Sequence, residues 1–182
     1  MLKNKKCFCG SEHSFNNCCQ VFIEQKAIKS IFPQRPEELM RSRFSAYAIG
    51  NSQYIYDTYA KQSQALQSVK EINDGGEFCL WIALIIHASN ANGITIDLAK
   101  NEGIEQFVEF SAFYITNNTL CELRENSRFI VENSQWRYID GDIIEHSEIM
   151  QIKQKDLCPC NNYPTAWSIK KGKKFKQCCG KE

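Results

Sequence analysis

The 182-residue chain is 43% hydrophobic, 12% aromatic and 24% charged, with four prolines and nine glycines, which excludes a linker or low-complexity tract and allows one ordinary domain with small attachments. The longest uncharged apolar run, Phe78 to Ala88, spans 11 residues and includes His87, too short to cross a bilayer, and the basic start MLKNKKCFCG lacks the apolar stretch of a secretory signal, so a cytoplasmic protein is expected. The net charge of +1 conceals segregation: residues 1–50 carry eight Lys/Arg against four Asp/Glu, residues 51–150 six against fifteen, and residues 151–182 eight against two.

The first element is a cysteine word, CFCGSEHSFNNCC, at residues 7–19. Four thiolates converging from two short segments suit one tetrahedral metal ion with every position filled, so Cys7, Cys9, Cys18 and Cys19 are expected to bind a structural zinc. In a reducing compartment, clustered cysteines point to metal ligation before disulfides. Gly10 permits a sharp turn after the first pair. Cys18 and Cys19 would diverge by only about 100° at the start of a helix, within reach of one ion. Asn17 reads as its N-cap, with Val21, Phe22, Gln25 and Ile28 at helical spacing. Copper(I), an iron–sulfur cluster and a redox-active dithiol are the competing uses of such a word. His13 reads as a solvent-facing loop residue.

Residues 23–150 read as a separate α+β unit between end modules at 1–22 and 151–182. Helical patterning runs from Pro36 to Tyr59 with a break at Gly50-Asn51. From Glu77 the texture turns to strands, FCLWIALIIHAS, IEQFVEFSAFYIT, TLCELRENSRFIV and QWRYID, divided by SNANG, Asn117-Asn118, ENSQ and DGD as turns. Helices followed by an antiparallel meander imply helices on one face of a curved sheet. Within EELMRSRFSAYAIG, Met40, Phe44 and Tyr47 centre the apolar stripe and Arg43 falls on it, while Arg41 points away. A core-facing arginine needs a carboxylate or an anionic ligand. Glu125 shares a strand face with Leu123, Ser127 and Phe129, so Arg43 and Glu125 are expected to meet, as a structural ion pair or as the lining of a pocket that includes Tyr47. His87 reads as a hydrogen-bonded core residue and His146 as exposed beyond the last strand. Cys79 and Cys121 read as buried thiols.

The second cysteine word supplies Cys158, Cys160, Cys178 and Cys179, a second four-thiolate set with a longer inner connection. Doubling a flexible loop adds only about 0.6 kcal/mol of closure entropy, so ligation tolerates the stretch. Lys170, Lys171, Lys173, Lys174 and Lys176, interleaved with Trp167 and Phe175, resemble a nucleic-acid patch. A zinc held by four thiolates carries a formal −2, however, and the lysines partly balance it, which argues against nucleic acid.

CFCGSEHSFNNCC and CPC…GKKFKQCCG resemble the SEC-C motif, the zinc-binding tail of the preprotein translocase motor ATPase. The first copy matches its spacing, and the second departs by a nine-residue insertion, about NNYPTAWSI. LMRSRFSAY, VEFSAFY and LRENSRFIVENSQWRYIDGD between two such words are similar to the bacterial YchJ-like family. That resemblance covers nearly the whole chain and implies a nuclear-transport-factor-2-like (cystatin-like) centre, with no activity assigned to the family.

No Ser/His/Asp signature, phosphate loop or HExxH helix is present, and closed four-cysteine sites leave no place for a reactive water, so no enzyme activity is read here. The expected role is a zinc-stapled adaptor that contacts a protein partner through Lys173, Lys174 and Lys176. The translocase resemblance implies a secretion chaperone or the ribosome as that partner. A small-molecule-binding or catalytic cone around Arg43 and Glu125, and a thiol-redox or metal-handling protein, are the alternatives.

Overall fold

The computed structural model describes residues 5–24, 31–90, 96–163 and 172–181. After the first cysteine word come α1 (Gln20–Ile23), α2 (Pro36–Ile49), α3 (Ser52–Asp57), α4 (Lys61–Gln64) and α5 (Val69–Gly76). The strands β1 (Leu80–Ser89), β2 (Glu105–Thr116), β3 (Thr119–Glu132) and β4 (Gln135–Gln151) form one antiparallel sheet in the order β1-β2-β3-β4. The α+β architecture expected from the sequence is the one observed.

Local chemistry sets most element ends. Pro36 opens α2, and Gly50 closes it in the left-handed conformation at φ 72°. The Asn51 side chain then caps α3 by accepting from the Tyr54 N–H. Two hairpins turn on residue pairs at positive φ: Asn117 and Asn118 (47° and 58°) join β2 to β3, and Asn133 and Ser134 (52° and 59°) join β3 to β4. These are the primed turns that match strand twist, so the register from Thr116–Thr119 to Glu105–Ile130 follows from the first of them. The turn expected at SNANG lies partly outside the described residues.

Four local expectations are corrected. Asn17 is not the N-cap of the first helix; Phe15–Asn17 forms a 3-10 turn, Cys18 breaks it at φ −132° and ψ −114°, and Cys19 is the N-cap of α1. Gln25 and Ile28 lie outside the described residues. Residues 61–76 contain two helices that apolar periodicity did not disclose; α5 starts at Ser68 as N-cap, its hydroxyl accepting from the Glu71 N–H and donating to the Glu71 carboxylate. DGD is not a turn: β4 runs through it to Gln151, with Gly141 paired to Ser127. His146 therefore lies inside β4, exposed, with Nε2 at 2.7 Å from the Tyr114 hydroxyl.

The sheet separates two hydrophobic clusters. On the helical face, Val108, Phe110 and Ala112 of β2 join Phe129, Val131 and Trp136 beneath Leu39, Met40 and Phe44 of α2. On the opposite face, Phe113 and Ile115 of β2 join Ile82 and Leu120. Period-2 alternation along β2 places its odd and even residues on opposite sides. A bulge between Trp81 and Ala83 turns both Ile82 and Ala83 to the outer face while Trp81 stays against the helices. His87 is at the exposed end of β1, not in the core; its Nε2 is 2.7 Å from the Ser111 hydroxyl, which donates to Glu122 at 2.6 Å. Cys121 is buried, and Cys79 is half-exposed.

Candidate metal centres and central cavity

The eight cysteines of the two words gather into two groups of four, Cys7, Cys9, Cys18, Cys19 and Cys158, Cys160, Cys178, Cys179, with all sulfurs of each group within 4.8 Å of one another. Cys9 and Cys18 are 3.7 Å apart, Cys18 and Cys19 3.9 Å, Cys160 and Cys178 3.4 Å, and Cys178 and Cys179 3.9 Å. Metal–sulfur bonds of about 2.3 Å in a tetrahedron place sulfurs about 3.8 Å apart, so the donors fit one four-coordinate ion per group.

The two groups are one repeated structure. A β-bridge joins Lys6 to Ser14 in the first and Leu157 to Lys174 in the second. The Cys7 N–H donates to the His13 carbonyl and the Cys158 N–H to the Lys173 carbonyl. A 3-10 turn at Phe15–Asn17 recurs at Phe175–Gln177, and Cys178 repeats the break of Cys18 at φ −131° and ψ −108°. The extra residues of the second word fall in its inner connection, where residues 164–171 lie outside the description, among them Trp167, Lys170 and Lys171. Both turns begin with a buried phenylalanine: Phe15 is 0% exposed and Phe175 2%. Phe175 thus plugs its module from inside and is not available to stack on a base. That plug was legible as the repeated F-x-x-C-C, which the lysines around Phe175 masked.

Without a cation four close sulfurs cannot all lose their protons. Donation from Cys18 holds the Cys9 thiol far below its ordinary range, while the same neighbour pushes Cys19 far above it. A metal ion removes that conflict by compensating every thiolate at once.

Each module docks on a different face. Cys7, Phe8, Cys9, Phe15, Cys19 and Ile23 belong to the helical-face cluster, where the Cys7 sulfur lies 3.6 Å from the Ser45 hydroxyl of α2. Arg41 does not point away into solvent: it pairs with Glu37 at 2.8 Å and donates to the Cys9 carbonyl at 3.0 Å, tying α2 to the module. Cys158, Cys160, Phe175 and Cys178 belong to the outer cluster, and Tyr163 stacks on Phe113 with centroids 4.8 Å apart. Expected boundaries at 22 and 151 fall within α1 and at the last residue of β4.

Between α2, α5 and the sheet lies a cavity of about 320 Å³ whose walls include Arg43, Tyr47, Trp81, Glu125 and Tyr138. Arg43 is 4% exposed. Its Nη1 donates to the Ile55 carbonyl at 2.8 Å and to the Thr58 hydroxyl at 2.7 Å, and its guanidinium lies 4.4 and 4.6 Å from the ring centres of Tyr59 and Tyr138. Residues 58–60 bring these partners together by bonding along β4: the Tyr138 N–H donates to the Thr58 carbonyl and the Ala60 N–H to the Tyr138 carbonyl. Two aromatic faces and two oxygens thus hold the cation, each face contributing about 0.5–2 kcal/mol.

Arg43 and Glu125 line one cavity but do not meet as an ion pair. Among the described residues no carboxylate oxygen lies within 4.0 Å of the Arg43 guanidinium. Tyr138 stands between them, its ring beside the guanidinium and its hydroxyl donating to Glu125 Oε1 at 2.9 Å; Ser127 donates to the same oxygen at 2.5 Å. Burial pushes the Tyr47 phenol up to about 12 and the Tyr138 phenol well above its ordinary range, so both remain protonated donors at neutral pH.

Gly141 explains how Glu125 fits. A Cβ there would overlap the Glu125 carboxyl group and stand 2.7 Å from its Cγ. Gly141→Ala is expected to lower stability by roughly 1–3 kcal/mol through overpacking, and Glu125→Ala in the same chain to recover most of it. Urea unfolding of the single and double variants checks this; purely additive losses would show that Glu125 is not the obstructed group.

A family model described as the middle NTF2-like domain of YchJ matches residues 35–141. The UPF0225 protein of Enterobacter sp. (strain 638) is 33% identical over 174 residues, covering 96% of this chain and 97% of its own. The chain belongs to the UPF0225 family. A second UPF0225 protein, from Vibrio cholerae serotype O1 (strain ATCC 39541), is 34% identical over 174 residues, with 96% and 99% covered. Among solved structures, RPA3114 from Rhodopseudomonas palustris, a SEC-C motif containing protein, shares the fold with a TM-score of 0.65 at 23% identity, over 77% of this chain and 99% of its own. A SEC-C motif containing protein from Psychrobacter arcticus aligns with a TM-score of 0.61 at 25% identity over 98% and 97%. The UPF0225 chain described here thus combines an NTF2-like middle domain with two four-cysteine clusters able to hold metal. Among its described residues, no helix is long and apolar enough to cross a membrane.

Proposed function

We propose that the protein is a small-molecule-binding cone domain whose two ends are stapled by structural zinc. One observation carries the ligand site: Arg43 is a nearly fully buried cation that, among the described residues, has no carboxylate partner and no acceptor for its Nε and Nη2, and it borders a cavity of about 320 Å³. A buried charge left with spare donors is costly unless a ligand completes its shell. Zinc suits the cysteine groups because four sulfurs within 4.8 Å enclose a single ion and leave no room for a cluster. With all four positions filled by protein, the metal supplies rigidity rather than a reactive water, beneath α2 at one end and on the outer face of the sheet at the other.

The test is a thermal-shift screen of small carboxylates against wild type and Arg43→Met. A ligand present at about 100 times its Kd stabilises by about 2.7 kcal/mol, near 5–10 °C for a chain of this size. Shifts in wild type that vanish in a folded Arg43→Met support the cavity as the site. Hits unaffected by the substitution, or no hits at all, count against it. Should Arg43→Met fail to fold, loss of the shift in Tyr47→Phe and Tyr138→Phe replaces it.

A protein-interaction role is favoured by a different observation. Lys173, Lys174 and Lys176 are all exposed on the second module, and among the described residues none is in an ion pair. They form a positive rim for an acidic protein partner, a secretion chaperone or a ribosomal surface in the sense of the SEC-C resemblance. Pull-downs with wild type and with Lys173→Glu/Lys174→Glu check this, and identical partner sets would sink it.

A further inference from the structure

The cavity presents two ions of opposite sign, each with one side committed to the protein and one side uncommitted. Arg43 spends Nη1 on Ile55 and Thr58, leaving Nε and Nη2 without an acceptor among the described residues. Glu125 takes both Ser127 and Tyr138 on Oε1, leaving Oε2 without a donor among the described residues. The phenol ring of Tyr138 keeps the two apart, its face beside the guanidinium and its hydroxyl on the carboxylate. A third observation points the same way: the indole N–H of Trp81, in the same wall, is buried with no acceptor among the described residues. Glu71 also borders the cavity, but it is exposed at the rim and engaged with Ser68, so water screens its charge.

A ligand carrying one charge satisfies one of these ions and strands the other. A plain anion gains Arg43 but meets the field of Glu125; a plain cation gains Glu125 and is repelled by Arg43. Leaving a buried polar group unmatched is how a site rejects an analogue that lacks the complementary group. We infer that the cavity takes a zwitterion of the amino-acid type, its carboxylate on the free edge of Arg43 and on the Trp81 N–H, its ammonium on Glu125 Oε2, and an aromatic or large apolar side chain against Phe44, Phe110 and Leu123. The inference rests on the cavity being the ligand site and adds the class of ligand. The charged groups set one phenol ring apart match a molecule that holds its own two charges a few bonds apart.

Isothermal titration with three probes tests it: L-phenylalanine, 3-phenylpropionate, which lacks the ammonium, and phenethylamine, which lacks the carboxylate. Wild type is expected to bind phenylalanine at least tenfold more tightly than either analogue. Glu125→Gln removes the advantage over 3-phenylpropionate, and Arg43→Met the advantage over phenethylamine. If 3-phenylpropionate binds as tightly as phenylalanine and depends on Arg43, the zwitterion is wrong while the cavity remains an anion site. If none of the three binds, the zwitterion is likewise wrong, and the carboxylate screen alone decides the cavity. Should Arg43→Met not fold, the Glu125→Gln comparison decides between zwitterion and anion.

Discussion

Replacing Cys7 and Cys9 together by serine is expected to unfold the helical face of the protein, whereas Cys158→Ser with Cys160→Ser leaves that face folded. The first module is built into the main core: Cys7, Phe8, Phe15 and Cys19 pack in the cluster that contains Leu39, Met40 and Phe44. Arg41 and Ser45 of α2 touch it directly. Structural zinc contributes roughly 10–16 kcal/mol to small metal-dependent folds, as much as the roughly 5–15 kcal/mol that holds an ordinary domain together. Its loss beneath α2 therefore reaches Arg43 and Tyr47 on the same helix. The second module lies on the outer face with Ile82, Phe113 and Ile115, so its loss bares that face and leaves the cavity in place. Elemental analysis should find two zinc ions in wild type and one in each double variant, and hydrogen exchange should show α2 deprotected only in the first. Equal deprotection in both, or a metal-free wild type, would contradict the coupling.

Phe129→Ala should cost about 3–5 kcal/mol, and with it roughly 6–20 °C in Tm. Phe129 is 0% exposed on the central strand β3, between Gln106 of β2 and Tyr138 of β4, with its ring centre 5.7 Å from that of Tyr138. Sheet residues on both sides are fixed by backbone ladders, so the void has little freedom to collapse. Tyr138 also loses the ring that positions it, so the Arg43 pocket is disturbed as well as the core. Thermal and urea unfolding measure the loss; a cost under 1 kcal/mol would mean that the helices can settle into the gap. The equivalent truncation at the half-buried Tyr163, which touches Phe113 from the module side, should be milder.

The cysteine words, the α2 helix with its break at Gly50-Asn51, and the strand segments were legible because each is written in short-range chemistry: ligand spacing, a glycine at positive φ, alternation over a strand, asparagine pairs in primed turns. The four-cysteine groups followed from the same locality, since ligands close in sequence need only a turn to converge. The Ser68-x-x-Glu71 pattern was readable as a helix start and yet α5 was missed, because its eight residues offer only Val69 and Ile72 as apolar side chains and end on Gly75-Gly76, too short a stretch to establish a period.

What only the tertiary structure decided involves contacts between distant segments. Arg43 called for a partner, but that the Thr58 hydroxyl and the ring faces of Tyr59 and Tyr138 meet it depends on residues 58–60 pairing along β4. The run DGD spelled a turn locally, while the sheet needed Gly141 to leave room for Glu125 from the neighbouring strand. The two cysteine modules are nearly the same word, yet one is fused to the helical core and the other to the outer face. Sequence by itself pointed to the two four-cysteine groups and to most of the elements, because spacing and turn chemistry act over a few residues. The placement of each module, and the separation of Arg43 from Glu125 across one tyrosine ring, came only from how the sheet brings remote side chains together.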